Sequence, residues 1–249
     1  GTNKKRLIVL QRNKANFTQL TPLSFLYRTV EIFPDRTAWI YRKRKANYKE
    51  FYLRCKSFAM TIKESNVRKG EVVSVMLPNV PEMLEAHFGV PMSGAILNSI
   101  NTRLEKKSIE FILKHSKSKI FIFHEDFIEL VNCLSISKKI KLVVVKDLKK
   151  INSKKITEYE SFINKVSLNK VASFKNYYPQ DEWETITLNY TSGTTGDPKG
   201  VLYHHRGAHL MCFNNQMVWK MGYHPNYLWT LPMFHCNGWC FPWTVTERA

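Results

Sequence analysis

Eleven residues, Tyr190-Thr191-Ser192-Gly193-Thr194-Thr195-Gly196-Asp197-Pro198-Lys199-Gly200, constrain this chain more than any other part of it. They hold four Ser/Thr hydroxyls, three glycines and one lysine. Glycine lets a backbone approach an anion closely and take up positive φ. Successive backbone N–H groups in such a loop form a concave nest for oxygens. The hydroxyls add rotatable donors, and Lys199 adds a mobile positive charge. The composition predicts a loop that holds a polyphosphate. Just before it, Ile186, Leu188 and Tyr190 alternate with Thr185, Thr187 and Asn189, the period of a strand. A strand that runs into such a loop places it at the end of an open α/β sheet, where ligands bind beyond the carboxyl ends of the strands.

The rest of the chain carries the same alternation of element types. Leu23, Leu26, Val30 and Phe33 share one helical face, as do Phe51, Cys55, Phe58, Ala59 and Ile62, with a strand over Thr37 to Tyr41 between them. Val72 to Leu77 is an apolar run interrupted only by Ser74, suited to a strand covered on both faces. Pro81 and Glu82 suit the first turn of a helix that Asn79 would cap. Ile109, Ile112 and Leu113 mark a further helix, and Ile120–Phe123 and Leu142–Val145 further strands. The predicted fold is α/β, with mostly parallel sheet covered by helices. The polar stretch from Lys146 to Gln180 lacks sustained periodicity and is expected to be a long connection between subdomains.

The loop is not a P-loop. That pattern needs a second Gly five residues after the first, then Lys and Ser or Thr; Pro198 stands five residues after Gly193 and Val201 five after Gly196. Net charge is +18, which raises nucleic acid as a partner. The distribution argues against it. Residues 1–175 hold 34 Lys+Arg and 15 Asp+Glu, whereas residues 176–249, with the candidate loop, hold 4 and 5. Basic runs such as Arg42-Lys43-Arg44-Lys45 read as solvated faces and are not interleaved with stacking aromatics. His204, His205 and His209, with His235, Cys236 and Cys240, bring metal ligands together, yet without zinc-site spacing, so no metal site is expected. Five cysteines in a chain of this size predict free thiols in a reducing compartment, and we expect the cytoplasm. No stretch approaches the ~20 apolar residues of a membrane span.

The run Tyr190–Gly200 resembles, at every fixed position, the phosphate-binding signature of the adenylate-forming superfamily, which includes acyl-CoA synthetases. Leu231-Pro232-Met233-Phe234-His235-Cys236-Asn237-Gly238-Trp239 is similar to that family's next motif, a strand and turn walling an acyl pocket. Leu77–Glu82 and Asn101–Leu104 resemble its early motifs, and the likeness covers roughly residues 17–245. The wording of Glu85–Pro91 and Tyr203–Gly207 resembles the medium-chain and methylmercaptopropionate-type CoA ligases and the plant acyl-activating enzymes.

That resemblance implies part of the large N-terminal domain of an adenylate-forming enzyme, spanning residues 1–249. The family's magnesium-holding glutamate, ribose-binding aspartate and C-terminal domain with its catalytic lysine are expected to lie outside this stretch. It implies ATP, Mg2+ and CoA as co-substrates and a carboxylic acid as partner. The nucleotide would be held by Thr191, Ser192, Gly193, Thr194, Thr195, Gly196 and Lys199, with Lys199 and His235 acting in catalysis. Trp229, Phe234, Trp239, Phe241 and Trp243 would supply the apolar wall. The expected reaction turns an acid into acyl-adenylate and then acyl-CoA, with residues 1–249 inactive alone. An adenylating ligase with another acyl acceptor and a truncated, non-catalytic protein are the alternatives.

Overall fold

A computed structural model describes residues 11–147, 155–191 and 196–249. The chain opens with helix α1 (Leu23–Ile32), which buries Leu23, Phe25, Leu26 and Tyr27. A small antiparallel hairpin follows, β1 (Thr37–Tyr41) and β2 (Arg44–Asn47). The second strand lies in the basic run expected to be a solvated face. Arg42 to Lys45 are all exposed, as expected, and the run's two arginines also form ion pairs: Arg42 with Asp147 at 2.6 Å and Arg44 with the buried Glu82 at 2.6 Å. Asn47 starts α2 (Tyr48–Glu64) through a reciprocal capping box with Glu50, and the expected stripe Phe51, Cys55, Phe58, Ala59 and Ile62 is buried.

The main sheet begins with β3 (Val72–Met76), buried at every residue. Then come α3 (Pro81–Met92), β4 (Ile96–Ser99), α4 (Lys106–His115) and β5 (Ile120–His124). A short turn leads to α5 (Ile128–Asn132) and β6 (Lys141–Val145). The tract expected to be a connection contributes β7 (Ile156–Glu158), α6 (Tyr159–Ile163) and α7 (Leu168–Ser173). It adds a parallel edge strand to the sheet and does not link subdomains. β7 is three half-buried residues long, too short to print a period on the sequence. The chain finishes with β8 (Thr185–Tyr190), β9 (Gly200–His204), α8 (His205–Val218) and α9 (Phe241–Glu247).

Among the described residues seven strands form one sheet in the order β7-β6-β5-β3-β4-β8-β9, parallel throughout except for β9 against β8. The expected mostly parallel sheet covered by helices is present. Alternate strand residues feed two cores. Val73, Val75, Leu97, Ile122 and Val143 pack with α1, α2, α3 and α6. Met76, Phe121, Phe123 and Val144 pack with Ile109, Ile112, Leu113 and Val131 on the other face. Both faces being covered, β5 reads as an almost unbroken apolar run and β3 is interrupted only by Ser74. α3 is buried on all sides and lies tightly on α2: a Cβ at Gly89 would sit 2.6 Å from Phe58 Cδ1. At the far edge β9 leaves Leu202 61% exposed.

Candidate active site

The β8–β9 hairpin carries the loop singled out by the sequence. Tyr190 pairs with Gly200, the Thr191 N–H donates to Lys199 O at 3.0 Å, and the Lys199 N–H donates to Thr191 Oγ1 at 3.0 Å. These bonds close the neck of the loop at the carboxyl end of β8, with Thr191, Gly196 and Lys199 exposed. Ser192, Gly193, Thr194 and Thr195 lie outside the described residues. Tyr190 is braced from α4, its hydroxyl 2.8 Å from His115 Nδ1.

Beside the neck opens a cleft of about 280 Å³. Thr191, Tyr190, Asn189, Asn101, Phe234 and His235 line it, so the structure brings His235 and the loop's first residue to one cavity. Among the described residues no acidic side chain lines it. Adjoining it is a second cavity of about 350 Å³ with mostly apolar walls, including Leu202, Ala208, Met211 and Trp239. Tyr203 and Cys236 border both cavities. Burial, followed by the adjacent Cys236 thiol, pushes the Tyr203 phenol up to about 12, so it stays protonated in this partition.

The expected aromatic wall is split. Phe234 faces the polar cleft and Trp239 the apolar cavity. Trp229 lines a different, open cleft between β1 and residues 224–229. Phe241 stacks on Tyr227 at 5.1 Å, and Trp243 is fully buried, its Nε1–H donating to the His87 carbonyl at 3.0 Å. Aromatic composition near a motif does not reveal which ring faces a cavity and which faces the core.

Residues 231–239 form no strand. They form bends and then a turn with left-handed φ at Cys236 (49°), Asn237 (53°), Gly238 (56°), Trp239 (54°) and Cys240 (65°). Each non-glycine residue there costs roughly 1–2 kcal/mol. Asn79, expected as a helix cap, holds this segment instead. Its Nδ2 donates to Leu231 O at 2.9 Å, its Oδ1 accepts from the Met233 N–H at 2.9 Å, and Val80 takes the N-cap position of α3 with no side-chain bond. From α8, Asn215 Nδ2 donates to Trp239 O at 2.8 Å. Asn237 is fully buried and bonded to Thr187 and Asn189 of β8. Sequence reading passed over Asn79, Asn215 and Asn237 as functional residues; the only signal was that two of them lie inside recognisable motifs.

The clustered histidines are engaged in hydrogen bonds, and His204 also lines the apolar cavity. His204 Nδ1 accepts from the Gly207 N–H at 2.8 Å and caps α8. His205 Nδ1 lies 2.8 Å from Thr21 Oγ1, and burial pushes its imidazole down to about 4. His209 Nδ1 lies 3.1 Å from Thr21 O, and its ring stacks on Phe25.

The family model for "AMP-binding enzyme" matches residues 26–248. The chain belongs to the AMP-binding enzyme family. Among curated relatives, this family member is 40% identical over 255 residues to the peroxisomal acetate/butyrate–CoA ligase AAE7 of Arabidopsis thaliana, covering 95% of this chain and 44% of that one. It is 43% identical over 245 residues to the peroxisomal benzoate–CoA ligase of the same plant, covering 95% and 42%. The chain therefore spans less than half the length of these relatives. Among solved structures, the fold matches the inhibitor-bound N-terminal domain of FACL13 from Mycobacterium tuberculosis, with TM-score 0.75 and 20% identity over 92% of this chain and 55% of that one. It also matches the anthranilate CoA ligase AuaEII in complex with anthranoyl-AMP, with TM-score 0.74 and 21% identity over 96% and 46%. Among the described residues no helix is long and apolar enough to cross a membrane.

Proposed function

We propose that the full-length protein containing this chain activates neutral-tailed short- or medium-chain carboxylic acids with ATP and passes the acyl group to CoA. One observation carries the reading: the Thr191–Lys199 neck opens into a cleft shared with His235, and an apolar cavity adjoins that cleft through Tyr203 and Cys236. The carboxylate oxygen attacks the α-phosphorus, the bond to the β-phosphate breaks, and acyl-adenylate and pyrophosphate form. A CoA thiolate then attacks the acyl carbon and AMP leaves. Lys199 and the loop's N–H and hydroxyl groups are assigned to the departing pyrophosphate, where fixed donors are worth ~3–4 kcal/mol each in measured enzymes. The described part of the site offers hydroxyls, amides, a lysine and an imidazole, which fit a polyphosphate and a carboxylate. Mg2+ would enter with the nucleotide and neutralise phosphate charge, needing few protein ligands.

The chemistry of the walls supports the acid class. A free amino acid brings an ammonium, which is costly to bury without a carboxylate partner, and among the described residues neither cavity has an acidic lining residue. The names of the relatives, ligases of acetate, butyrate and benzoate, support the same class. The test is acid-dependent exchange of labelled pyrophosphate into ATP by the full-length protein. Butyrate, hexanoate and methylmercaptopropionate should exceed free amino acids, and the reverse order refutes the proposal. Residues 1–249 alone are proposed to bind ATP weakly and not to turn over, because groups that act as a unit lose most of their effect when one is missing. The free thiols support a reducing compartment. The cytoplasm is the proposed site, the peroxisomal names of the relatives give the alternative, and imaging of the tagged full-length protein separates them.

A further inference from the structure

We propose that Asn237 is a positioning residue for adenylation: its buried amide locks the left-handed turn after His235 onto the ends of β4 and β8 and so fixes the wall of the cleft that receives the acid. The inference rests on the proposed function for its catalytic meaning and on geometry for its substance.

Asn237 Oδ1 accepts from Thr187 Oγ1 at 2.9 Å and from Asn189 Nδ2 at 2.8 Å. Its Nδ2 donates to Ser99 Oγ at 3.3 Å and to His87 Nε2 at 3.3 Å. Two donors and two acceptors fill the bonding capacity of the amide. The partners come from β8, β4 and α3. Asn189 and Ser99 also line the cleft, as do Phe234 and His235 on the other side of Asn237. One buried group thus ties both walls of the cavity together. The backbone it holds is unfavourable by itself, since four of the five left-handed residues carry a Cβ.

The direction of the amide is dictated by His87, which is fully buried. Its Nδ1–H donates to the Met83 carbonyl at 2.8 Å, leaving Nε2 as an acceptor that only the amide nitrogen can satisfy. The groups around the ring are the Met83 carbonyl of α3, the Trp243 ring of α9 at 5.5 Å and the Asn237 amide, and no charged side chain acts on it. Burial holds the imidazole down at about 4, so the acceptor is present at neutral pH.

The diagnostic change is Asn237→Asp in the full-length protein. The carboxylate keeps an acceptor for Thr187 and Asn189 but sets an oxygen against the Nε2 lone pair. Repair requires one added proton between the carboxylate and Nε2, and the ion-paired form places it on His87. At pH 8 we expect acid-dependent pyrophosphate exchange to fall about tenfold in kcat/KM for the acid, the worth of one or two hydrogen bonds. KM for ATP should stay within about twofold of wild type, because the phosphate loop is untouched. Lowering the pH should narrow the deficit as His87 becomes imidazolium. Nitrogen NMR should show His87 changing from the neutral Nδ1–H form to the doubly protonated form at a pH where wild type is neutral, and backbone amides 236–240 should lose exchange protection. Asn237→Leu, which cannot be repaired, should show the loss at every pH. Wild-type kinetics in a folded Asn237→Asp protein overturn the inference, as do equal losses toward both substrates. If wild type shows no acid-dependent exchange, the proposed function falls. The NMR readout needs no turnover, so unchanged His87 nitrogens with unchanged amide protection mark failure of the lock itself.

Discussion

Replacing Arg54 by methionine should destabilise the protein by an amount that grows with pH. Arg54 on α2 donates to Glu85 of α3 at 2.5 and 3.3 Å and to Glu160 of α6 at 3.0 and 2.6 Å. The Tyr159 hydroxyl donates to Glu85 at 2.7 Å. Glu85 is fully buried, and burial pushes its carboxyl up from 4.5 to about 7 against the pull of Arg54. Burial would lower the Arg54 guanidinium, but its bonds to Glu160 and Glu85 outweigh that and raise it. A group whose folded pKa lies above its unfolded value gives stability that is complete at low pH and is lost as pH rises through the folded pKa. Wild type therefore stops losing near pH 7, where Glu85 ionises against its partner. In Arg54→Met the chief pull is gone, Glu85 stays protonated, and the loss continues at about 1.4 kcal/mol per pH unit. At pH 6 only the arginine's hydrogen bonds are missing, on the order of 1–2 kcal/mol. By pH 9 the gap should reach roughly 4 kcal/mol, within the range for a broken buried ion pair. Urea unfolding of the full-length protein at pH 6, 7.5 and 9 measures this, and Arg54→Met/Glu85→Gln should remove the pH dependence. A gap constant from pH 6 to 9, or a double variant as pH-sensitive as the single one, refutes the reasoning.

His87 and His205, both held down at about 4 by burial, are neutral in the fold and protonate on unfolding. Their stability is intact above about 6.5 and is lost as pH falls toward 4, by roughly 3 kcal/mol each. Glu85 contributes with the opposite sign there, so histidine NMR titration is the clean measurement; midpoints near 6.5 for either ring would refute the burial argument. Lys199→Ala should slow adenylate formation at least about 100-fold, on the scale of losing one fixed donor. The same variant should transfer ready-made acyl-adenylate to CoA at a near-normal rate, and equal loss in both half-reactions would remove Lys199 from the pyrophosphate.

Much of the fold was legible because its signals are local. A strand covered on both faces must be apolar at consecutive positions, which is why Val72 to Leu77 and Ile120 to Phe123 announce themselves. The loop proposed to hold phosphates would use neighbouring backbone amides, so its signature is readable as one contiguous run from Tyr190 to Gly200. The helix stripe of α2 is readable for the same reason. Tertiary structure alone decided the rest. β7 is a strand because β6 offers it an edge, and nothing in its three residues demands one. Arg44 finds its partner in Glu82, buried on α3, while its own side chain stays exposed like those of its neighbours in sequence. Asn237 gains its role from positions 87, 99, 187 and 189, which only folding brings together. The left-handed turn it holds has one glycine among five residues and no periodic signature. Local patterns record what a segment must do with its own backbone and faces. A buried side chain four bonds deep in other elements records where the rest of the chain has gone, and that information exists only in three dimensions.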